Sequence, residues 1–219
     1  MTYEEIIKDL KSQKRPKNIA GMARFGINPK GTLGISIPYL RNLAKKIGKD
    51  HTLADKLWKS GIHEAKILAA FIDELKKVTE KQAEVWVKDF DSWDICDMVC
   101  SNLLDQTPFA YKKAFEWSKR QEEFVKRAGF VLMAALAVHD KKIDDKRLIK
   151  FLPVILREAT DERNFVKKAI NWALRQIGKR NSNLKKEAIQ TAEAILKIYP
   201  DSKSAKWIAK DTIRELTSR

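Results

Sequence analysis

The feature that most constrains the fold of this chain is a helical spacing of apolar residues that runs almost from end to end. In the first such segment Ile6, Ile7 and Leu10 fall on one face, and similar stripes recur as far as Leu216. Glycine (8 residues) and proline (6) are scarce among the 219 residues, whereas a protein of many tight-turned strands needs more of both. The pattern therefore predicts an all-α protein of about a dozen helices.

Glycine and proline mark several predicted boundaries. Residues 20–38 hold four of the eight glycines and are predicted as a short helix followed by a loop. Pro38 is predicted in the first turn of the next helix, where its missing N–H does no harm, and Gly48 is predicted to end that helix. A helix over 145–158 is predicted to break at Pro153.

Some of these segments echo one another. The segments that begin at His63, Val125, Val166 and Ala205 share a charged start followed by small and apolar positions, and the last three begin 41 and 39 residues apart. A helix pair that recurs about every 40 residues is the period of HEAT or armadillo repeats. One pair cannot bury its own apolar face, so pairs stack into a curved array with a concave surface. An irregular helical bundle is the alternative.

The charge of the chain indicates its partner. Lys and Arg number 44 against 29 Asp and Glu, a formal charge of +15, and residues 111–219 carry +12 of it. Such an excess points to a polyanion, either nucleic acid or an anionic membrane surface. The longest uncharged run, residues 128–139, is too short to span a bilayer, and no segment pairs a basic face with a large apolar one. Nucleic acid is therefore the expected partner, with no membrane.

Several kinds of site are absent from the sequence. There is no glycine-rich phosphate loop, HExxH or CxxC motif, and we expect neither a metal nor a cofactor. Cys96 and Cys100 are predicted to be small buried thiols, since no second Cys or His pair lies near them. The His63-Glu64 pair is predicted to cap the start of its helix. Residues 1–14 lack the apolar core of a signal peptide, so we expect a cytoplasmic protein, associated with the nucleoid in a prokaryote.

Asp97 breaks the pattern of its helix, which is predicted over residues 90–104. Trp93, Asp97, Cys100 and Leu104 fall on one stripe, so a carboxylate lies on a face that is otherwise aromatic and apolar. A buried carboxylate that a neighbouring Arg or a backbone N–H satisfies is one explanation. Catalysis is the other, because a carboxylate near a surface that binds a polyanion otherwise only repels it.

Two further helices carry candidate binding residues. Arg127 lies near the core edge of its helix. Three roles are open for it there: pairing with a carboxylate, extending along the apolar stripe, or binding a phosphate. On the helix predicted over 162–179, the core stripe is flanked by Lys168, Trp172, Arg175 and Lys179. A tryptophan among cations suits nucleic-acid binding, with the cations on phosphates, and a boundary Trp packed against the next helix is the alternative.

The sequence resembles the HEAT-like-repeat DNA alkylation repair family, the alkylpurine DNA glycosylases of the AlkD type. The resemblance covers roughly residues 6 to 216 and rests on the order of five short segments: 34–45 (GISIPYLRNLAK), 57–66 (LWKSGIHEAK), 93–97 (WDICD), 126–128 (KRA) and 166–175 (VKKAINWALR). Together, the periodicity and the resemblance predict an all-α, single-domain, right-handed superhelical solenoid of HEAT-like antiparallel helix pairs over residues 1–219, with a concave basic groove.

The resemblance implies a hydrolase that releases N3- or N7-alkylated, positively charged purines from duplex DNA without base flipping. It implies catalytic roles for Asp97, Trp93 and Trp172, with Arg127 on the backbone phosphate. We expect a monomer without an obligatory protein partner. Two other functions stay open: a non-catalytic protein that binds bent, branched or damaged DNA, and a protein-interaction scaffold, which is a common use of HEAT repeats.

Overall fold

A computed structural model describes residues 1–218, which are helical with no β-strand among them. The prediction of an all-α protein is therefore confirmed. In chain order the α-helices of this range are Tyr3–Ser12 (α1), Pro16–Arg24 (α2), Ile37–Ile47 (α3), His51–Lys59 (α4), His63–Ile72 (α5), Glu80–Lys88 (α6), Trp93–Asn102 (α7), Ala110–Trp117 (α8), Glu123–His139 (α9), Asp145–Ile149 (α10), Leu152–Glu158 (α11), Asn164–Lys179 (α12), Ser182–Ile198 (α13) and Lys203–Thr217 (α14).

The helix boundaries follow the predicted signals closely. Pro38 lies in the first turn of α3, and Gly48 ends that helix with φ at 80°, a conformation that favours glycine. The break at Pro153 is confirmed, because α10 ends at Ile149 and Pro153 lies in the first turn of α11. The helix α2 begins earlier than predicted, at Pro16, since proline is well tolerated at the first helical position.

The chain divides into two compact units, residues 1–107 with α1–α7 and the remainder from Pro108 with α8–α14. In the first unit a stacked pair of indoles lies in the core: the rings of Trp58 and Trp86 are parallel, 4.0 Å apart between centroids. The Trp58 Nε1 donates a hydrogen bond of 2.9 Å to the Asp89 carboxylate, which satisfies the polar end of this otherwise buried side chain.

The second unit repeats one helix three times. The helices α9, α12 and α14 begin 41 and 39 residues apart, as the sequence echo predicts. Small or apolar residues at matching positions, Ala128, Ala169 and Ile208, are all fully buried. The helix α12 packs against α9 on one side and against α13 and α14 on the other.

Polar contacts join successive repeats of the second unit. The Arg180 guanidinium donates to the Ala137 carbonyl at 2.9 Å, and the Asn171 amide donates to the Ile208 carbonyl at 3.2 Å. Each of these bonds reaches one repeat along the chain, over 43 and 37 residues. They satisfy the buried Asn171 amide and the partly buried Arg180 guanidinium between helices whose apolar faces do most of the packing.

Neither cysteine is in a disulfide, and both are buried, so the prediction of small buried thiols is confirmed. Burial raises the pKa of the Cys100 thiol well above its usual value, and the neighbouring Cys96 thiol and the Asp97 carboxylate raise it further. Among residues 1–218, no helix is long and apolar enough to cross a membrane, and no group of three or more His, Cys, Asp and Glu side chains could hold a metal ion.

Candidate nucleic-acid interface

In the first unit, α7 carries two of the predicted site residues, Trp93 and Asp97. Trp93 is the first residue of this helix and Asp97 lies one turn later; both are partly exposed, whereas Cys96 and Cys100 beside them are fully buried. The structure thus brings the indole and the carboxylate together at the partly exposed edge of a helix whose opposite side is core. A carboxylate in this position is accessible from outside while it is partly shielded from water.

Trp93 is held in place by the loop that follows α2. Its indole Nε1 donates to the Phe25 carbonyl at 2.9 Å, and the same loop reaches α7 again where the Asn28 N–H donates to the Ser92 hydroxyl at 2.9 Å. The Asn28 side chain donates to the Asp91 carboxylate at 2.8 Å. The first bond fixes the orientation of the Trp93 ring, and the two from Asn28 hold the same loop against the residues that precede α7.

Phe25 is a candidate site residue that sequence reasoning missed. Its ring is 75 % exposed, at the C-terminal end of α2, and its carbonyl accepts the Trp93 bond. Because its carbonyl binds Trp93, Phe25 adds an exposed aromatic side chain next to that indole. The available signal was a phenylalanine in the glycine-rich, irregular stretch 20–38, where no apolar stripe explains it.

The prediction that His63 and Glu64 cap their own helix is wrong. The Glu64 carboxylate is 1 % exposed and accepts bonds of 2.7 to 3.2 Å from the backbone N–H groups of residues 33–35. The His63 Nε2 lies 2.8 Å from the Asp94 carboxylate, at the start of α7. Both side chains therefore bind groups in other segments: Glu64 binds the α2–α3 loop, and His63 binds the helix that carries Asp97.

In the second unit, Arg127 is almost fully buried on α9, with 5 % of its surface exposed. Its guanidinium donates to the Phe165 carbonyl in the first turn of α12, and the rings of Phe124 and Phe165 lie 5.7 Å apart. Arg127 thus has a partner that is not among the three predicted roles, a main-chain carbonyl in the next repeat. The contact with a phosphate stays a prediction.

A cluster of opposite charges lies next to Arg127. The buried Lys126 ammonium is 2.6 Å from the Glu158 carboxylate and 2.9 Å from that of Asp161, and Arg163 also binds Asp161. Burial raises the pKa of Asp161, but the hydrogen bonds from Arg163 and Lys126 outweigh it and lower that pKa to about 2. The cluster joins α9 to the turn that precedes α12.

Only part of the predicted basic flank of α12 is available to bind nucleic acid. Trp172 is partly exposed and Lys168 is exposed, as a surface for nucleic acid requires. The Lys179 ammonium, however, lies 2.6 Å from the Glu215 carboxylate on α14, and Arg175 lies 3.8 Å from both Asp211 and Glu215. Carboxylates of the next repeat therefore partly neutralise these two cations, while Lys168 points away from the core.

Comparison with known proteins gives the family. The model of a family described as DNA alkylation repair enzyme matches residues 6–215. No curated protein matches the sequence. Among solved structures, the chain is similar to a member of "a new family of proteins related to the HEAT-like repeat DNA glycosylases with affinity for branched DNA structures", with 19 % identity, a TM-score of 0.79, and coverage of 88 % of this chain and 83 % of that one. The likeness shows a HEAT-like fold, and the family match shows that the chain belongs to the DNA alkylation repair enzyme family.

Proposed function

We propose that this protein is a DNA glycosylase that hydrolyses the N-glycosidic bond of cationic N3- or N7-alkylated purines in duplex DNA, without base flipping. The observation that carries the proposal is the position of Asp97, one helical turn after Trp93 at the partly exposed edge of α7, in a chain that matches the DNA alkylation repair family over residues 6–215. A protein with a formal charge of +15 gains nothing for DNA binding from a carboxylate there.

The chemistry needs a carboxylate and little else. An alkylated purine already carries a positive charge, so the C1′–N bond breaks with its electron pair going to the base, which leaves as a neutral purine. Positive charge then develops on the deoxyribose, as in glycoside hydrolysis generally. The Asp97 carboxylate stabilises that charge and orients a water molecule, whose oxygen bonds to C1′ while its proton passes to Asp97 or to solvent.

The aromatic residues contribute through their electron-rich faces. The Trp93 ring, oriented by its bond to the Phe25 carbonyl, packs against the sugar and stabilises its positive charge, a contribution of about 1 kcal/mol. The catalytic role of Trp172, on α12 of the second unit, rests on the family resemblance alone. Lys168, which is exposed, pairs with backbone phosphate. The phosphate contact assigned to Arg127 requires its guanidinium, which is 5 % exposed, to leave the Phe165 carbonyl.

We also assign Arg175 and Lys179 to contacts with backbone phosphate, but each must first give up its contact with a carboxylate. Each now lies near Glu215, so binding a phosphate means exchanging a carboxylate for a phosphate oxygen. Because one anion replaces another, the net gain is smaller than for Lys168. We therefore expect Lys168→Ala to weaken duplex binding more than Lys179→Ala does.

Release of free base tests the proposal. Purified protein is incubated with a duplex that carries one 7-methylguanine, and the released base and the duplex affinity are both measured. We expect Asp97→Asn to lower the single-turnover release rate by about 100-fold or more, while duplex binding is retained or becomes slightly tighter. Asp201→Asn, which removes a carboxylate from an exposed turn, serves as the matched control and should match the parent.

Each outcome has a distinct meaning. Full release by Asp97→Asn protein would overturn the assigned mechanism. No release by the parent protein, together with tight binding to DNA, would replace the glycosylase with the second candidate, a non-catalytic protein that binds bent, branched or damaged DNA. The affinity of the structural neighbour for branched DNA and the basic second half of the chain favour that candidate. It predicts binding that weakens steeply with salt and does not depend on Asp97.

A further inference from the structure

The helix α14 exposes a tryptophan that the proposed reaction does not use. Trp207 is 40 % exposed, more than any other tryptophan in the part of the chain that the structure describes. The helix buries its opposite side, including Ala205, Ile208 and Leu216, against the neighbouring helices. Trp207 therefore has no role in the core, and about two-fifths of a large apolar ring remains in contact with water.

Cations surround this ring. A shallow groove of about 470 Å³ is lined by Trp207 together with Lys203, Lys206, Lys210, Asp211 and Arg214. The Lys167 ammonium, from α12, lies 5.9 Å from the centre of the Trp207 ring. The one carboxylate of the groove, Asp211, is bound to Arg214 and lies 3.8 Å from Arg175, so it does not offset the remaining lysines.

The spacing of these residues makes a stripe along the helix. Lys203, Trp207, Lys210 and Arg214 stand three or four residues apart, so they share one face and extend over about 16 Å at 1.5 Å per residue. That length accommodates a short run of nucleotides. A positive stripe with an aromatic ring in its middle is the arrangement by which proteins bind single-stranded nucleic acid, with the phosphates on the cations and a base on the ring.

We propose that this α14 surface binds a single-stranded segment of DNA, with one unpaired base stacked on Trp207 and the adjacent phosphates on Lys206 and Lys210. A single strand fits better than a duplex, because the faces of paired bases are already covered by their neighbours and only an unpaired base can stack on an indole. The inference rests on the proposed function in one respect, that DNA is the ligand. Base release through Asp97 does not depend on it.

Fluorescence anisotropy with a labelled oligothymidylate, and with a blunt duplex of the same length, tests the proposal. Trp207→Ala should weaken single-strand binding about 10-fold, because base–aromatic stacking contributes on that order, and should change duplex binding much less. Trp207→Phe should retain most of the affinity. Ile198→Ala is the matched control, since it removes another exposed apolar side chain from the same unit and should have no effect.

The lysines are tested by salt dependence. For single strands each phosphate contact contributes about 0.7 to the slope of log affinity against log salt, so Lys206→Ala and Lys210→Ala should each lower the slope by about that amount. Equal single-strand affinities for Trp207→Ala and the parent would overturn the proposal, and so would equal losses on single strand and duplex. Single-strand affinity is measured on unmodified oligothymidylate, from which no alkylated base can be released, so a failure of the glycosylase and a failure of this surface are distinguishable.

Discussion

Replacing Gly129 by alanine tests how closely α8 and α9 pack. A methyl group built at this position would overlap the Ser118 nitrogen and would lie 2.8 Å from the Ser118 Cα and 2.9 Å from the Trp117 carbonyl carbon. All three atoms belong to the backbone of α8 or its end, so no flexible side chain can move aside. To restore ordinary contact, the two helices must separate by about 1 Å at this point.

The magnitude follows from two opposing contributions. Alanine gains about 1 kcal/mol over glycine in a helix interior. Forcing extra volume into a well-packed core costs about 1–3 kcal/mol, and more where backbone atoms are the obstacle. Because α9 is also packed against α12, it cannot move away from α8 freely. We expect a net loss of about 2 kcal/mol, which for a chain of this size lowers Tm by about 4–8 °C.

Thermal unfolding followed by circular dichroism and by tryptophan fluorescence measures the change. Gly21→Ala is the control: it lies within α2, nothing stands within 4 Å of the added methyl group, and we expect it to stabilise the protein by about 0.5–1 kcal/mol. If Gly129→Ala proves as stable as the parent while Gly21→Ala gains stability, the close approach of α8 and α9 is not the constraint inferred from the structure.

Two other perturbations have clear expected results. Glu64→Ala leaves the loop amides of residues 33–35 without their buried acceptor and should lower the free energy of unfolding by about 3 kcal/mol. Glu64→Gln keeps one acceptor oxygen and should lose less stability. Equal losses for the two variants in urea unfolding would contradict the role of Glu64 as acceptor for these amides. The pKa of Asp161 is lowered to about 2, so its contribution to stability is complete above about pH 4 and is lost as the pH falls towards 2. Arg163→Met should raise that pKa in a carboxyl NMR titration, and an unchanged value would refute the pairing.

The sequence predicted the helices and their repeat well, because the apolar stripe is a local signal that each segment carries within itself. The errors concern partners distant in sequence. Glu64 looks like the first-turn acidic residue of its own helix, yet its carboxylate binds loop amides about thirty residues earlier. Lys179 lies on the predicted basic flank, and its acidic partner Glu215 stands 36 residues later, on α14. Periodicity shows which face is apolar, but it does not show which helix supplies the opposing charge.

The sequence separation of the polar contacts differs between the two units, and this difference bears on how each unit folds. In the second unit the bonds between repeats span 36 to 43 residues, so each repeat can form on its predecessor and contact order stays low. In the first unit, the bond from Trp93 to the Phe25 carbonyl spans 68 residues, and the bond from Arg41 to the Asn102 side chain spans 61. Closing the longer loops adds little to the free energy, about 0.6 kcal/mol per doubling, but it requires most of the unit to be assembled first. We therefore expect the segment that orients Trp93 beside Asp97 to be completed late in the folding of its unit, after the local helices have formed.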